Sequence, residues 1–487
     1  MISTRYFTAL CLLLSICLLR TNGQTLTDTT LQATPIVTDL PNDVIGFSRL
    51  PGGRILTIQR SGEIQVVVNG SLSSALINID ALTAGNGEQG LLGIAVHPEF
   101  PDSNYVYTYH TRADSFNQIS RYEVTGDLSD PNSSNISIPS ASQQLIFEVY
   151  NETQYHQGGT LRFGGDGKLY ASLGDDGRKF SVQSYESYRG KIVRLNPDGS
   201  IPTDNPSFPD VSPQEMNATY IMGLRNPFRF AIDPMTQDLL IGDVGAILRE
   251  ELSLASGGDN LGWPRYEGDS LTLDTARLLD ENVVAPLIDY KHSPGSYSVM
   301  GLAAYRPVDY PNDASFPPKY DGALFYADYF RGPIYVLLPD TVNGGYTRKI
   351  FAEDINRPVD AALDVDGSLI VLASGRTLWR IGYKSDTSTT TGVQPELPRP
   401  AVSLNSYPNP FQEEISFNLI LSPQALPSPT TLKVYNQMGQ LVAVLLDEHV
   451  PGDRLEILWQ SNGQPAGVYH AVLEHNGEHL SQSLIKR

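Results

Sequence analysis

Gly164-Gly165-Asp166-Gly167-Lys168-Leu169-Tyr170 is the stretch on which the fold turns, a glycine- and aspartate-rich corner running into a short apolar strand. Asp-Gly between β-prone runs signals a tight hairpin, because glycine takes positive φ at no steric cost. The theme appears upstream as Leu50-Pro51-Gly52-Gly53-Arg54-Ile55-Leu56. Downstream it returns as Asp233-Pro234-Met235-Thr236-Gln237-Asp238-Leu239-Leu240, Tyr320-Asp321-Gly322-Ala323-Leu324-Phe325 and Asp364-Val365-Asp366-Gly367-Ser368-Leu369-Ile370. A looser copy runs from His97-Pro98-Glu99-Phe100 to Tyr105-Val106-Tyr107. Runs such as Leu369-Ile370-Val371-Leu372-Ala373 are apolar on both faces, as in a sheet packed between two others. About six units at ~40–90-residue spacing between Ile36 and Tyr383 predict an all-β chain built on a six-bladed β-propeller. Periodicity alone leaves a sandwich or a β-helix open.

Composition sets the outer bounds. The 487 residues carry a formal charge of −20, which leaves no electrostatic footprint for nucleic acid or anionic lipid. With 40% hydrophobic and 18% charged residues the chain can bury a sizeable core, which excludes wholesale disorder. Both cysteines, Cys11 and Cys17, fall in the N-terminal segment, so the remainder offers no disulfide, thiolate metal site or cysteine nucleophile.

That segment, residues 1–23, reads as an export signal: Arg5, an apolar run from Phe7 to Leu19, then Thr21-Asn22-Gly23 as a cleavage point. The run is short for a transmembrane span, which wants ~20 apolar residues. Residues 24–383 form the expected propeller, and the Ser/Thr/Pro-rich stretch 384–400 an extended linker. Residues 401–487 alternate as a small β-sandwich would, through Ile415/Phe417/Leu419, Leu432/Val434, Leu455/Ile457/Trp459 and Val468–Leu473. This tail resembles the C-terminal sorting domain of the type IX secretion system, with Tyr407-Pro408-Asn409-Pro410-Phe411, Val434-Tyr435 to Gly439, and Ala466-Gly467-Val468-Tyr469. The resemblance implies recognition by that machinery and a secreted or cell-surface protein exported through the periplasm and outer membrane.

Three stretches carry more polar residues and glycines than a blade needs. His156-Gln157-Gly158-Gly159 is followed by a strand and then Gly174-Asp175-Asp176-Gly177, so one hairpin can return Asp175 to the same end as His156. A carboxylate there holds the imidazole tautomer and raises its basicity, as general-base catalysis needs. A satisfied loop histidine and a strand-capping turn are the bland alternatives. Gly223-Leu224-Arg225-Asn226-Pro227 sets a guanidinium fork beside an amide, which suits a carbonyl or carboxylate ligand, although Arg225 can equally pair with one of the many acids. Gly242-Asp243-Val244-Gly245, Arg249-Glu250-Glu251 and Gly257 to Pro264 are oxygen-rich loops able to hold Ca²⁺ through carboxylates and carbonyls. Asp364-x-Asp366-Gly367 reads as a turn rather than a metal loop.

From Ile36 to Tyr383 the chain resembles the soluble quinoprotein sugar dehydrogenases, the glucose/sorbosone dehydrogenase family with its hedgehog-interacting-protein-like branch. The blocks Glu88 to Pro98, His156 to Gly159, Gly190 to Gly199 and Gly223 to Pro227 carry the likeness, in the family's order. The resemblance implies pyrroloquinoline quinone and Ca²⁺ on one face of the propeller. It places His156 as general base, Asp175 as its orienting carboxylate, and Arg225 with Asn226 at the quinone's reactive carbonyl. Gly245 and Ala246 fall where two backbone carbonyls bind calcium, and Arg357 where an arginine grips the cofactor's carboxylates. Val359 and Phe330 stand where the family has a second arginine and a lysine, at ~1.5–3 kcal/mol for each lost charge-assisted contact. Phe180 stands where an amide touches sugar.

These features predict an enzyme oxidising an aldose to a lactone, with hydride passing to the quinone and electrons to an acceptor the sequence does not name. A non-catalytic propeller binding glycan or protein, and a calcium-dependent lactonase, are the rival readings on the same fold.

Overall fold

Each glycine–aspartate corner joins the innermost strand of a sheet to its antiparallel neighbour. Residues 50–54 link Val44–Arg49 to Ile55–Gln59, and 164–168 link Gly158–Phe163 to Leu169–Leu173. Residues 233–238 link Pro227–Ile232 to Leu239–Asp243, and 364–368 link Pro358–Leu363 to Leu369–Ala373. The looser copy joins Leu91–Val96 to Tyr105–Thr111, and the Tyr320 corner precedes Leu324–Asp328, the partner of Val299–Ala304. The repeat is therefore one corner per sheet, all at one end of the molecule.

The structure, a computed structural model, describes residues 26–384 apart from 80–86, 209–217, 273–282, 307–314, 341, 343, 356 and 375, together with most of 402–486. The expected signal 1–23, residues 385–400 of the expected linker, and the motif positions 408–410 and 437–439 lie outside the described residues.

Among the described residues, six sheets built on four strands form a ring whose innermost strands neighbour one another in chain order and return from Pro358–Leu363 to Val44–Arg49. The ring closes because Leu31–Val37 pairs antiparallel with Thr377–Tyr383 as the outermost strand of the last sheet. This is the expected six-bladed propeller. A buried apolar cluster fills each gap between blades: Leu92, Tyr109, Leu161 and Leu173 between the second and third, for example, and Tyr170, Ile192, Phe230 and Ile241 between the third and fourth. Side chains buried on both sheet faces explain why the strands read as unbroken apolar runs.

Every innermost strand also slips register, in most of them near its start, between Gly158 and Leu161 and between Pro227 and Arg229, for instance. A bulge bends and retwists its strand. Here the bulges lie toward the end opposite the corners, where His156, Asn226 and Arg357 enter their strands.

The channel between the innermost strands is plugged by ions. Arg229, wholly buried, donates Nη2–H to Ile45 O at 2.6 Å, Nε–H to Val359 O at 2.9 Å and Nη1–H to Thr160 Oγ1 at 3.2 Å, tying four blades together. Asp360 lies 3.8 Å from its Nε and also accepts from Arg162. Burial pushes the Arg229 guanidinium down to about 10, so it stays charged at neutral pH.

The C-terminal residues form two sheets of their own, ordered Val402–Tyr407, Glu414–Leu421, Arg454–Gln460 and Leu441–His449, Pro429–Asn436, Gly467–His475, Glu478–Lys486. Ile415, Phe417, Leu432, Val434, Trp459 and Leu473 are buried between them. The sandwich and its alternating strands are as expected. Val402–Tyr407, Leu441–His449 and Glu478–Lys486 are strands the sequence reading did not name.

Arg229→Met removes the donor shared by those carbonyls and leaves Asp360 with one cation fewer. Breaking a buried pair by deleting one partner costs about 3–5 kcal/mol. Chemical denaturation of the variant is expected to give a loss of that size; a change under about 1 kcal/mol overturns the plug as a structural tie.

Candidate active site

The end of the ring opposite the corners is irregular, and the candidate residues come from the connections of the third and fourth blades. His156 enters Gly158–Phe163, and Asp175 follows Leu169–Leu173 on the next strand, so one hairpin brings them together. Arg225 and Asn226 lie between Thr219–Met222 and Pro227–Ile232. Val244 to Leu248 leave Leu239–Asp243 at the same end.

His156 adopts φ +56, a conformation that side chains rarely favour. Two contacts hold it there. The Glu88 carboxylate accepts its backbone N–H at 2.6 Å. Its carbonyl packs against position 174 so closely that a Cβ there would lie 1.8 Å from the oxygen, which only glycine allows.

The imidazole is clamped on both nitrogens. Nδ1 lies 2.6 Å from Asp175 Oδ1, and Nε2 lies 2.8 Å from Arg225 Nη2. A guanidinium can only donate, so Nε2 accepts and Nδ1 carries the proton that it donates to Asp175. Asp175, 1% exposed, also accepts from Trp263 Nε1 at 2.9 Å on its other oxygen and from Gly177 N–H at 2.8 Å. Arg225 donates through Nη1 to Val244 O at 2.7 Å and lies over the Trp263 ring at 5.8 Å.

Asp243 fixes the next layer by accepting the backbone N–H groups of Arg225 and Asn226 at 2.8 and 2.6 Å. Burial pushes its carboxyl up to about 7 against those two bonds. The Asn226 side chain accepts from Gly158 N–H at 3.1 Å.

The carboxylates of the calcium-candidate loops are engaged by the fold itself. Asp243 is taken by those amides, Glu250 by Val299 N–H and His292, and Glu251 by Gly268 N–H. Among the described residues no group of three His, Cys, Asp or Glu side chains is set to hold a metal. Asp364-x-Asp366-Gly367 is the turn expected of it, with Gly367 N–H donating to Asp364 O.

Backbone carbonyls are arranged differently. Glu267 Oε1, buried, accepts from the N–H groups of Ala246, Ile247, Leu248 and Arg249 at 2.8–3.0 Å. In a planar trans peptide the C=O points away from the N–H. The carbonyls of Gly245 and Ala246, which share peptides with the first two of those N–H groups, therefore turn away from Glu267. Among the described residues no hydrogen bond reaches either. A Cβ on Gly245 would meet Arg249 O at 1.7 Å, so this tight loop needs a glycine there.

Two cavities adjoin at these residues. One, about 590 Å³, is lined by His156, Asp175, Arg225, Ala246, Trp263 and the wall Gly177–Ser181. The other, about 480 Å³, is lined by Arg60, Glu88, Asn226, Phe228, Val244, Tyr297, Tyr329, Phe330 and Val359 among others. Both fall within the roughly 300–1,000 Å³ of small-molecule sites. Lys191, wholly buried and pushed down to about 7 by desolvation, ties the wall of the first cavity by donating to Val182 O and Arg189 O.

His156, Asp175 and Arg225 are thus brought into contact, with Asn226 and Ala246 beside them. Gly245 lines neither cavity. Arg357 is not in that cluster and lines neither cavity; it lies 5.5 Å over the ring of Tyr329, which lines the second. Trp263, Glu88 and Glu267 were not singled out as site residues, and Asp243 was named only within a loop able to hold calcium. Glu88 and Trp263 lie within stretches quoted from the sequence, but nothing local marks which backbone or carboxylate they would meet.

The profile of the family described as glucose/sorbosone dehydrogenase matches residues 41–377. Quinoprotein glucose dehydrogenase B of Acinetobacter calcoaceticus is 28% identical over 265 residues, 47% of this chain and 49% of that protein. The mouse hedgehog-interacting protein is 29% identical over 174 residues, 32% of this chain and 24% of that protein. The chain thus spans half or less of these curated relatives. The structure of the PQQ-bound aldose sugar dehydrogenase of Streptomyces coelicolor shares the fold at TM-score 0.57 and 24% identity, covering 73% of this chain and 99% of that one. By the extent of the profile match, the chain belongs to the glucose/sorbosone dehydrogenase family.

Proposed function

We propose that the chain is a pyrroloquinoline-quinone-dependent dehydrogenase that oxidises an aldose at its anomeric hydroxyl to a lactone. The observation that carries this reading is the imidazole of His156 held between Asp175 and Arg225 on the wall of an open cavity.

The residues of the second cavity suit a flat polycarboxylate. Phe228, Tyr297, Tyr329 and Phe330 offer ring surfaces. Arg331 lies 3.9 Å over Tyr297 and Arg357 5.5 Å over Tyr329, while Arg60 lines the wall. Among the described residues none of these three cations forms an ion pair. Arg60 and Arg331 can thus replace the cations that Phe330 and Val359 do not supply. The unengaged carbonyls of Gly245 and Ala246 suit a hard cation such as Ca²⁺, which takes oxygen ligands.

When bound, the quinone supplies the oxidant, accepting the sugar's C1 hydrogen as hydride. The chain supplies the rest. His156 takes the proton of the anomeric hydroxyl at Nε2, and Asp175 steadies the resulting imidazolium through Nδ1–H. For Nε2 to receive that proton, Arg225 must turn off it, which frees the guanidinium to face the negative charge developing on the oxidant. Trp263 and Gly177 keep Asp175 from turning.

Export through the periplasm and outer membrane, with the C-terminal sandwich read by the type IX machinery, belongs to the same proposal. Its sequence motifs and its two-sheet fold support it.

Purified protein given calcium and the quinone is expected to reduce an artificial dye in the presence of aldoses. A flat trace, with no quinone absorbance retained after gel filtration, removes the oxidoreductase reading. It leaves a binding propeller of the kind the hedgehog-interacting branch suggests.

His156→Ala should lower kcat/KM about 10²–10⁴-fold, with quinone affinity measured by calorimetry little changed. Arg331→Ala and Arg357→Ala should each weaken that affinity about ten- to a hundred-fold. Unaltered binding in both overturns their assignment. Glu267→Gln is expected to raise the calcium concentration needed for half-maximal activity.

A further inference from the structure

The cavity before His156 is basic, although the chain carries −20. Arg178, Lys179, Arg189 and Arg225 line it, against the single carboxylate of Asp175. Asp175 is wholly committed to His156, Trp263 and Gly177, so it has nothing to offer a ligand. Behind the wall, Glu152 pairs with Arg178 at 2.6 Å and with Arg189 at 2.8 Å, and Asp176 with Arg189 at 3.2 Å. Lys179 has no such partner among the described residues; its ammonium lies 5.5 Å from the centre of the Phe180 ring. That ring is 73% exposed, at the lip of the cavity.

A neutral sugar presents hydroxyls that both give and accept hydrogen bonds. The cavity's polar groups are chiefly donors, beside the rings of Phe180 and Trp263; Arg225 is held by His156 and Val244, and Lys179 is the cation left without a polar partner among the described residues. The complement of such a cavity is an acceptor-rich, negatively charged sugar. An acidic chain repels anions at long range, so a local surplus of cations here works against the global field.

We propose that the substrate is an anionic sugar, an aldose bearing a carboxylate, sulfate or phosphate, whose ring rests on Phe180 and whose anion is bound by Lys179. Arg178 and Arg189 line the same wall but are largely satisfied by Glu152 and Asp176, which leaves Lys179 as the discriminating charge. The proposal rests on this cavity being the sugar site, and it names the class of sugar.

Calorimetric titration of the full-length protein with galacturonate and with galactose separates substrate choice from turnover, because it needs no dye and no reaction. Galacturonate should bind about ten- to a hundred-fold more tightly, the worth of one charge-assisted contact. High salt should erode that ratio. Lys179→Glu should bring the ratio to about one or below, and Lys179→Arg should restore it. Galactose sulfate and galactose phosphate, titrated in parallel, identify which anion is preferred. A ratio near one in the native chain, or one that survives Lys179→Glu, overturns the proposal. Dye reduction with neutral aldoses and no preference in binding sinks this inference alone. A Lys179-dependent preference with a dye trace that stays flat for galacturonate as well, and no quinone retained after gel filtration, upholds the class of sugar bound and sinks the oxidoreductase reading.

Discussion

One buried carboxylate organises the candidate site. Asp175 is almost inaccessible to solvent, yet it accepts from an imidazole, an indole and a backbone amide, each from a different direction. A carboxylate taken out of water is tolerable only when its lone pairs are met. Its own backbone N–H donates to Arg225 O at 2.7 Å, so the residue that fixes His156 on one side also fixes the chain carrying the opposing guanidinium. The tautomer and orientation of His156 and the reach of Arg225 follow from this one anchor. Even the unfavourable backbone of His156 is consistent with it. The cost of a positive φ, about 1–3 kcal/mol, persists only where surroundings over-determine it, and here Glu88 and Gly174 do so.

The ring divides its work between two ends. At one end the corners are short, repeated and of similar chemistry, because each has only to reverse an antiparallel pair. At the other end the connections differ in length and sequence from blade to blade, and those of the third and fourth blades carry the candidate chemistry. Bulges in the innermost strands, in most of them near the start, mark the change from one regime to the other. The Arg229–Asp360–Arg162 plug sits between the two ends and closes the channel, which keeps the cavities at the irregular end from being the mouth of an open pore.

How much of this the sequence shows follows from the range of each interaction. The corners were legible because Asp-Gly between apolar runs is a local signal, and the ring followed from their number. His156 and Asp175 were legible as a pair because a single hairpin connects them. Glu267 was not. Its function is to gather four successive amides from a loop about twenty residues upstream, and a lone glutamate before a glycine announces nothing of that. The same holds for Asp243, Glu250 and Glu251: acidic residues in glycine-rich loops look like cation ligands, and the backbone N–H groups they accept are not marked locally. Trp263 likewise gains meaning only from the carboxylate its indole N–H meets.

The distribution of unpaired cations is the final constraint. Many guanidinium groups of the ring are matched to carboxylates: Arg194 to Asp166 and Asp204, Arg306 to Asp233, Arg249 to Asp269 and Asp289, Arg162 to Asp360. In a chain with such an excess of acid, that matching is easy to achieve. Leaving a cation unmatched is the harder arrangement, and the irregular end does so repeatedly. Arg225 is left to a ring nitrogen and a carbonyl, Arg331 and Arg357 to aromatic faces, and Lys179 to Phe180. Aromatic faces hold a cation in place without neutralising it. Where such cations line a cavity, as Arg225 and Lys179 do in the first and Arg60 in the second, the local charge opposes that of the whole molecule, and a ligand rich in oxygens completes the pairing the fold withholds.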